Sequence, residues 1–310
     1  MLGDAGAQEL ADGLVHLSSR GGSLSALEVA GNRIGEGGVG HLANAIGRVH
    51  TLRQLDLSGN RIGGAAEKLS SGLMGNPALC ELRLGDAGLQ TAGAARLTKV
   101  LDTSQSLVEL HLWRNALSAD AASALANTLT VNRTLTVLSL RRNDLRDEGI
   151  QHIASALVAN RALARLDVAG NGITDEGFAK LATVRVPRAS WRFRRLTRSP
   201  PLPFLALRVQ VLGKQRILED LDVSSNRLTK ASAESLAEVL KTNTALSSVG
   251  MAENDVTWPG AKALLSAIEE NTTLTALYLS ANALGSSGLQ DFVLSDEYAQ
   301  ILTSTTVIIM

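Results

Sequence analysis

Apolar positions along the chain recur with a period close to 28 residues, and each period changes rhythm halfway. Residues 135–162, LTVLSLRRNDLRDEGIQHIASALVANRA, show the unit. It opens with L-x-x-L-x-L-x-x-N-x-L (Leu135, Leu138, Leu140, Asn143, Leu145), turns at Asp147, Glu148 and Gly149, and continues through Ile150, Ile153, Ala154 and Leu157. The first half alternates with period two. It predicts a short strand whose leucines point into a core and whose intervening residues point to solvent. The second half has apolar residues three and four apart, the spacing of one helix face. The first leucine of the unit falls at Leu24, Leu52, Leu79, Leu107, Leu135, Leu163, Leu218, Leu246 and Leu274, in steps of 28, 27, 28, 28, 28, 55, 28 and 28 residues. Nine near-copies at one period predict a solenoid. Each strand then lies parallel to the last, helices cover one side, and the difference in width bends the array into an arc.

An asparagine follows the strand at Asn32, Asn60, Asn115, Asn143, Asn171, Asn226, Asn254 and Asn282. A buried amide where the backbone leaves the strand can bond carbonyls and amides of the neighbouring turn, forming a ladder. Ala87 stands at that place in the third unit and predicts a weak rung. The return turn often runs through Asn-x-x-Leu, at Asn132, Asn160, Asn243 and Asn271.

This pattern resembles the ribonuclease-inhibitor-like class of leucine-rich repeats. In its N-x-I-G-x-x-G and L-A-x-A-L-x-x-N spelling it looks most like the repeats of NOD-like receptors and of Ran GTPase-activating proteins. The resemblance covers nearly the whole chain outside residues 184–210. It implies an α/β leucine-rich repeat solenoid, a horseshoe with a parallel β-sheet on the concave face and α-helices on the convex face. The chain shows no nucleotide-binding module of the kind NOD-like receptors carry and no acidic tail of the Ran GTPase-activating kind. Ribonuclease inhibitor itself is cysteine-rich and acidic, unlike this chain. The resemblance implies architecture more than activity.

A single domain over residues 1–310 is expected, with about nine 28-residue repeats and a partial unit at each end. Leu2-Gly3-Asp4-Ala5-Gly6 matches the second half of a unit, so the chain starts in mid-unit, as a fragment or truncated gene model would. At the other end Leu302, Thr305 and Val307 fall one period after Leu274 and predict a tenth strand. Between Leu163 and Leu218 the period fails. Residues 184–210 hold seven arginines, no acid and four of the six prolines. Prolines at 200, 201 and 203 exclude a regular helix or central strand there. Excising these 27 residues joins Thr183 to Val211 and restores a step of 28. The segment is therefore an insertion, expected as a disordered bulge on the convex side. It is either a basic, proline-rich contact loop or an intron retained in frame, since Val184 can be encoded from GT and Gln210 by CAG.

Composition narrows the function classes. Net charge is zero, so no global field argues for nucleic acid or acidic membranes. Cys80 is the single cysteine, which rules out an intrachain disulfide and fits a reducing compartment. The start shows no basic and apolar leader, and no apolar run reaches the roughly 20 residues of a membrane helix. A soluble cytoplasmic protein is expected.

Candidate chemistry is thin. Gly35-Glu36-Gly37-Gly38-Val39-Gly40 spells G-x-G-x-x-G between a strand and a helix, but the same turn recurs elsewhere without phosphate logic, as at Gly149, Gly177 and Gly288. Asn132-Arg133-Thr134 and Asn271-Thr272-Thr273 fit the glycosylation sequon only as turn residues. The five histidines show no metal spacing with each other or with Cys80, which is expected to be an idle outward thiol. No catalytic set can be assembled, and no enzyme activity, cofactor, metal or small-molecule substrate is expected.

The outward strand positions carry more. The column after the second leucine reads Glu28, Asp56, Arg83, His111, Ser139, Asp167, Asp222, Gly250, Tyr278. The two columns after the third leucine supply Trp113 and Arg114, then Arg141 and Arg142. The cluster Arg83, His111, Trp113, Arg114, Arg141 and Arg142 therefore stands in mid-arc, flanked by Glu28, Asp56, Asp167 and Asp222. Trp and Arg dominate interface hot spots, and aromatics are only 3% of this chain. The plain alternative is a solvated face on which Trp113 lies over an arginine. These positions predict a non-enzymatic scaffold that grips another protein, one with an acidic surface, on its concave face. The resemblance suggests two alternatives. One is regulation of a small GTPase, with Arg33, Arg61 and Asn115 on the rim; the other is a fragment of a NOD-like-receptor-type sensor.

Overall fold

The structure, a computed structural model, describes residues 1–186, 207–210, 212, 216–285 and 306–308. Strand and helix alternate along them. The strands are β1 (Ala26–Glu28), β2 (Gln54–Asp56), β3 (Glu81–Arg83), β4 (Glu109–His111), β5 (Val137–Ser139), β6 (Arg165–Asp167), β7 (Thr183–Val186), β8 (Leu207–Gln210), β9 (Asp220–Asp222), β10 (Ser248–Gly250), β11 (Ala276–Tyr278) and β12 (Thr306–Ile308). All but β7 and β8 join one parallel ten-stranded sheet, in chain order. Along its helix-bearing side run α1 (Gly3–Ser19), α2 (Glu36–Ile46), α3 (Ala66–Met74), α4 (Gln90–Thr103), α5 (Ala119–Val131), α6 (Arg146–Leu157), α7 (Asp175–Ala182), α8 (Lys230–Leu240) and α9 (Trp258–Glu270). This is the expected leucine-rich repeat solenoid. Among the described residues no helix is long and apolar enough to cross a membrane.

The register follows from the leucines. Leu27 lies opposite Leu55, Leu55 opposite Leu82, and so on to Val249 opposite Leu277. Side chains alternate between sheet faces, so this register sends every middle leucine to the helix side. All of them are buried there, against helix residues such as Leu42, Leu125, Ile153 and Leu236.

Two asparagine ladders join the layers. Asn115 is a complete rung of the first. Its Oδ1 accepts from the amides of Ala87 and Leu89 in the preceding repeat, at 3.0 and 3.1 Å. Its Nδ2 donates to the carbonyls of Leu84 and Leu112, at 2.7 and 3.1 Å. Asn60, Asn226 and Asn254 repeat the arrangement. At Ala87, which lacks the carboxamide, the backbone carbonyl accepts from the Ile62 amide at 3.0 Å. The chain there enters α3 through a 3-10 turn, Gly63–Ala65. The second ladder runs through the return turns. Nδ2 of Asn132, Asn160 and Asn271 donates to Leu101, Leu129 and Leu240, in each case 31 residues back, while Oδ1 caps the turn that follows. Sequon-like Asn132 and Asn271 are thus rungs, and Asn132 is buried.

Acids in the first helical turn give a third inter-repeat link. The D-E-G turn works this way: Asp147 accepts from the Thr174 amide and hydroxyl at 2.8 and 2.6 Å, and Asp175 from those of Thr229 at 2.9 and 2.5 Å. Glu36 does the same for the Gly64 amide at 2.8 Å. Each acid caps the next repeat's helix entrance, where amides lack intrahelical partners.

The interruption leaves the layers intact. β6 pairs directly with β9, Leu166 opposite Leu221. Helix α7 stops at Ala182, and β7 pairs antiparallel with β8, Thr183 opposite Gln210. Leu212 then returns to the core, fully buried, and its carbonyl accepts from Asn243 Nδ2 across the same 31-residue interval as the other rungs. The chain leaves the helix after Ala182 and rejoins its place at Leu212. Of the bulge expected over 184–210, residues 187–206 lie outside the described residues. At the carboxyl end β12 is a tenth strand, but Val307, not Thr305, lies opposite Leu277. A shift of two residues preserves the facing of side chains and puts the larger apolar one against the core.

The ladder predicts a large effect from a small truncation. Asn226→Ala should strip partners from the buried amides of Asn171 and Ile173 and lower unfolding free energy by about 3 kcal/mol in urea titration. Asp175 predicts a pH effect. Burial, its largest single influence, pushes its carboxyl up, but the hydrogen bonds from Thr229 and Ser232 together hold it below its ordinary value of 3.8. A carboxyl depressed in the folded state contributes stability that is present above the unfolded value and is lost as pH falls through the folded one. Asp175→Asn should therefore be destabilising at pH 7, and the gap to the parent should close below pH 3.8, read by urea unfolding at both pH values.

Candidate functional site

The inner face of the sheet is left uncovered by the helices, and each predicted residue has a definite place on it. Arg83 and His111 end β3 and β4 and lie opposite each other in register. Arg83 is exposed and forms an ion pair with Glu81 of its own strand. His111 stands with its Nε2 3.6 Å from Glu109 Oε2. That nitrogen is shut away from solvent and makes no hydrogen bond among the described residues. Trp113 is half-buried. It lies on Gly85 of the preceding repeat, so closely that a Cβ there would come within 1.9 Å of the indole Cε2. Gly85 has no side chain to push the ring off the sheet.

Arg114 and Arg142 are exposed, and both have positive φ, 55° and 53°. They belong to the column just before the ladder asparagine, where every repeat takes a left-handed residue: Gly31, Gly59, Asp86, Arg114, Arg142, Gly170, Ser225, Glu253 and Ala281. This turn carries the chain out of the strand and onto the rim. Arg141 points along the face instead, its NH1 3.3 Å from Asp222 Oδ2.

The structure divides the predicted cluster. His111 and Arg141 line a recess of about 570 Å³ that crosses the sheet from β4 to β11, together with Asp167, Asp222, Glu253 and Tyr278. Arg83 borders a separate, smaller hollow of about 50 Å³ with Glu28 and Asp56. Trp113, Arg114 and Arg142 line neither.

Within the large recess Asp167 and Asp222 are register partners. Burial pushes the Asp167 carboxyl above its ordinary value, and the Asp222 charge adds to this. Hydrogen bonds from the Ala169 amide and the Ser139 hydroxyl, and the Arg141 charge, oppose it without cancelling it.

The column before the second leucine was not singled out in the sequence, yet it supplies Glu81, Glu109, Arg165 and Asp220. These pair with the column beside it or with each other; Arg165 Nε lies 3.6 Å from Asp220 Oδ2. Glu81, Glu109 and His111 each place one ligand-type atom within 4.8 Å of the others. Two carboxylates and an imidazole could serve as three donors to a divalent cation, but Arg83 already holds Glu81. Spacing among histidines and cysteine could not reveal this trio, because two of its three members are carboxylates on neighbouring strands.

Other sequence candidates have structural explanations. At the G-x-G-x-x-G turn the Asp4 carboxylate accepts the Gly35 amide at 2.5 Å, on the spot a phosphate would need. Gly38 is small because a Cβ there would lie 2.9 Å from Ala7 Cβ of the adjoining helix. The Cys80 thiol donates to the Ala78 carbonyl at 3.2 Å. Asn115, placed on the rim as a GTPase contact, is buried and taken up by its ladder bonds.

A family model described as a leucine-rich repeat matches residues 50–66, 131–154, 159–182, 214–237 and 270–293. Together with the sheet and its period, this makes the chain a leucine-rich repeat protein. No curated protein matches it. Among the solved structures that do is one titled Leiomodin-1 Actin-Binding Site 2 (ABS2), 22% identical with a TM-score of 0.27. That match covers 32% of this chain and 57% of that one. So distant a likeness says nothing of what this chain binds.

Asp167 yields a prediction of opposite sign to Asp175. A carboxyl raised in the folded state weakens the fold at pH above that value, and the penalty fades as pH falls toward the unfolded value. Asp167→Asn keeps the geometry to meet Ser139 and Ala169. It should raise the melting temperature at pH 7 by about 1–3 °C, with the gain vanishing in acid. A lower melting temperature at pH 7 would refute the assignment.

Proposed function

We propose that this protein is a non-enzymatic interaction scaffold whose concave face binds a partner protein. The observation that carries the reading is the uncovered inner face of the sheet. It presents half-buried Trp113 beside exposed Arg114 and Arg142, with a recess of about 570 Å³ next to them. Leucine-rich repeat arrays are generally interaction modules, because stacking makes an extended surface from a few residues per repeat. The 28-residue period and an α-helix in each unit support placing it in the ribonuclease-inhibitor-like class.

In this reading Trp113 is the apolar anchor, already seated on Gly85 and therefore losing little freedom on binding. Arg114 and Arg142 present forked donors suited to a partner's carboxylates, while Arg83, His111 and Arg141 border them on the face, Arg83 held by Glu81 and Arg141 by Asp222. The partner surface meeting this half of the face is acidic with an apolar notch. The small-GTPase alternative loses Asn115 to the ladder, and no other observation favours it.

The test uses the full chain. A partner captured from cell lysate is identified, purified and titrated against the parent and against Trp113→Ala with Arg142→Glu, after circular dichroism and melting establish that both are folded. Affinity should fall at least tenfold, about 1.4 kcal/mol, as expected for loss of an aromatic and an arginine hot spot. Unchanged affinity would remove these residues from the interface.

A further inference from the structure

The large recess has a cause and a charge of its own. Its cause is Gly250, which stands in register between Asp222 and Tyr278. A Cβ at Gly250 would come within 2.5 Å of Asp222 Oδ1 and 3.1 Å of Ser224 Oγ. The outward column therefore skips one side chain there, the Asp222 carboxylate leans over the glycine, and the recess extends from it to the exposed Tyr278 ring. The volume, about 570 Å³, falls in the range of roughly 300–1,000 Å³ typical of sites that enclose a ligand.

The charge is unbalanced. Four acids line the recess, Asp167, Asp220, Asp222 and Glu253, against two arginines, Arg141 and Arg165, a difference of two negative charges. Both arginines are already engaged, Arg141 with Asp222 and Arg165 with Asp220. Asp167 and Glu253 have hydroxyl partners, Ser139 and Ser225, but no ion pair among the described residues. Glu253 is exposed, but Asp167 is half-buried, and the neighbouring Arg141 charge does not offset the cost of burying its carboxylate; a cation brought by a ligand relieves it.

We propose that this recess takes a guanidinium side chain, an arginine presented by a basic segment of the partner protein. Its planar fork would meet the Asp167 and Asp222 carboxylates, and its face would lie against Tyr278. The concave face then has two halves of opposite sign. The Trp113 half meets acids and the Gly250 half receives a base. The inference rests on reading the face as a docking surface, but its test does not depend on the partner.

The probe is acetylated, amidated tetra-arginine, titrated into the full chain by calorimetry at low and at physiological salt, with tetra-lysine and tetra-glutamate for comparison. Tetra-arginine should bind and tetra-glutamate should not. Tetra-lysine should bind several-fold more weakly, because an ammonium lacks the fork. Asp167→Asn and Glu253→Gln should each weaken tetra-arginine at least fivefold, whereas Glu238→Gln on the helix side should leave it within twofold. No binding of tetra-arginine, equal binding of lysine, or indifference to Asp167→Asn overturns the proposal. Because Asp167→Asn is expected to stabilise the fold, misfolding would not explain a loss. If the peptide fails while the partner is still lost through Trp113 and Arg142, the recess proposal falls and the docking face stands. If the peptide binds as expected while those substitutions leave the partner untouched, the recess stands and that part of the face falls.

Discussion

A buried asparagine amide, recurring at Asn60, Asn115, Asn171, Asn226 and Asn254, is the constraint from which most of this structure follows. A three-residue strand offers few backbone bonds to its neighbours, and the chain must then turn out of the sheet with its amides still inside. Leaving such groups unpaired costs about 1–3 kcal/mol each. Asn60, Asn115, Asn226 and Asn254 each serve two amides of the preceding repeat and at least two carbonyls, so one side chain closes the turn and joins two layers. To present that amide inward the preceding residue adopts a left-handed conformation. Glycine supplies it at Gly31, Gly59 and Gly170 without steric cost; elsewhere larger residues accept the strain. Arg114 and Arg142 are among these, and their position on the rim is a by-product of the ladder.

The same constraint explains what the fold tolerates. Ala87 removes a rung, yet the Ile62 amide finds the Ala87 carbonyl instead, and the accommodation is taken up in the 3-10 entrance to α3. The insertion removes nothing, because its borders, Thr183 and Gln210, are brought together by β-pairing and Leu212 resumes the helix position that Asn243 reads. Neighbouring layers supply most of each repeat's contacts, so a segment that leaves and re-enters at one point need not disturb the next layer.

Much of this was legible in the sequence because it is periodic. The leucine steps gave strands and register as far as Leu277, the asparagine column gave the first ladder, and excision of 27 residues gave the layer order across the gap. What was not legible depends on particular contacts between repeats. Asn132 and Asn271 looked like turn residues, and only their 31-residue reach to a helix carbonyl makes them a ladder. Trp113 rests on a glycine one repeat back, and a glycine leaves no mark except absence. The recess was missed for the same reason. Gly250 was visible in the column between Asp222 and Tyr278, but a missing side chain draws no attention in a pattern of charges.

Asp167 ties the frame to the surface it displays. Its carboxylate lies deep enough in the face to be disfavoured by burial, beside a second carboxylate that adds to the penalty, and the hydrogen bonds it receives do not cancel this. Asp56 and Asp222 stand in the same column, and each of the three accepts the amide two residues on, so the acid also closes the end of its strand. The Asp175 carboxyl, also partly buried, accepts from Thr229 and Ser232 and is held ionised by them, so the fold gains from its charge. The two residues are eight apart, at the beginning and end of one turn between strand and helix. On the helix side the charge closes a cap, and on the sheet side the nearby Arg141 charge does not cancel the penalty of burial. Asp167 also accepts from Ser139 of the neighbouring repeat, so one carboxyl both joins two layers and lines the recess proposed to receive a cation.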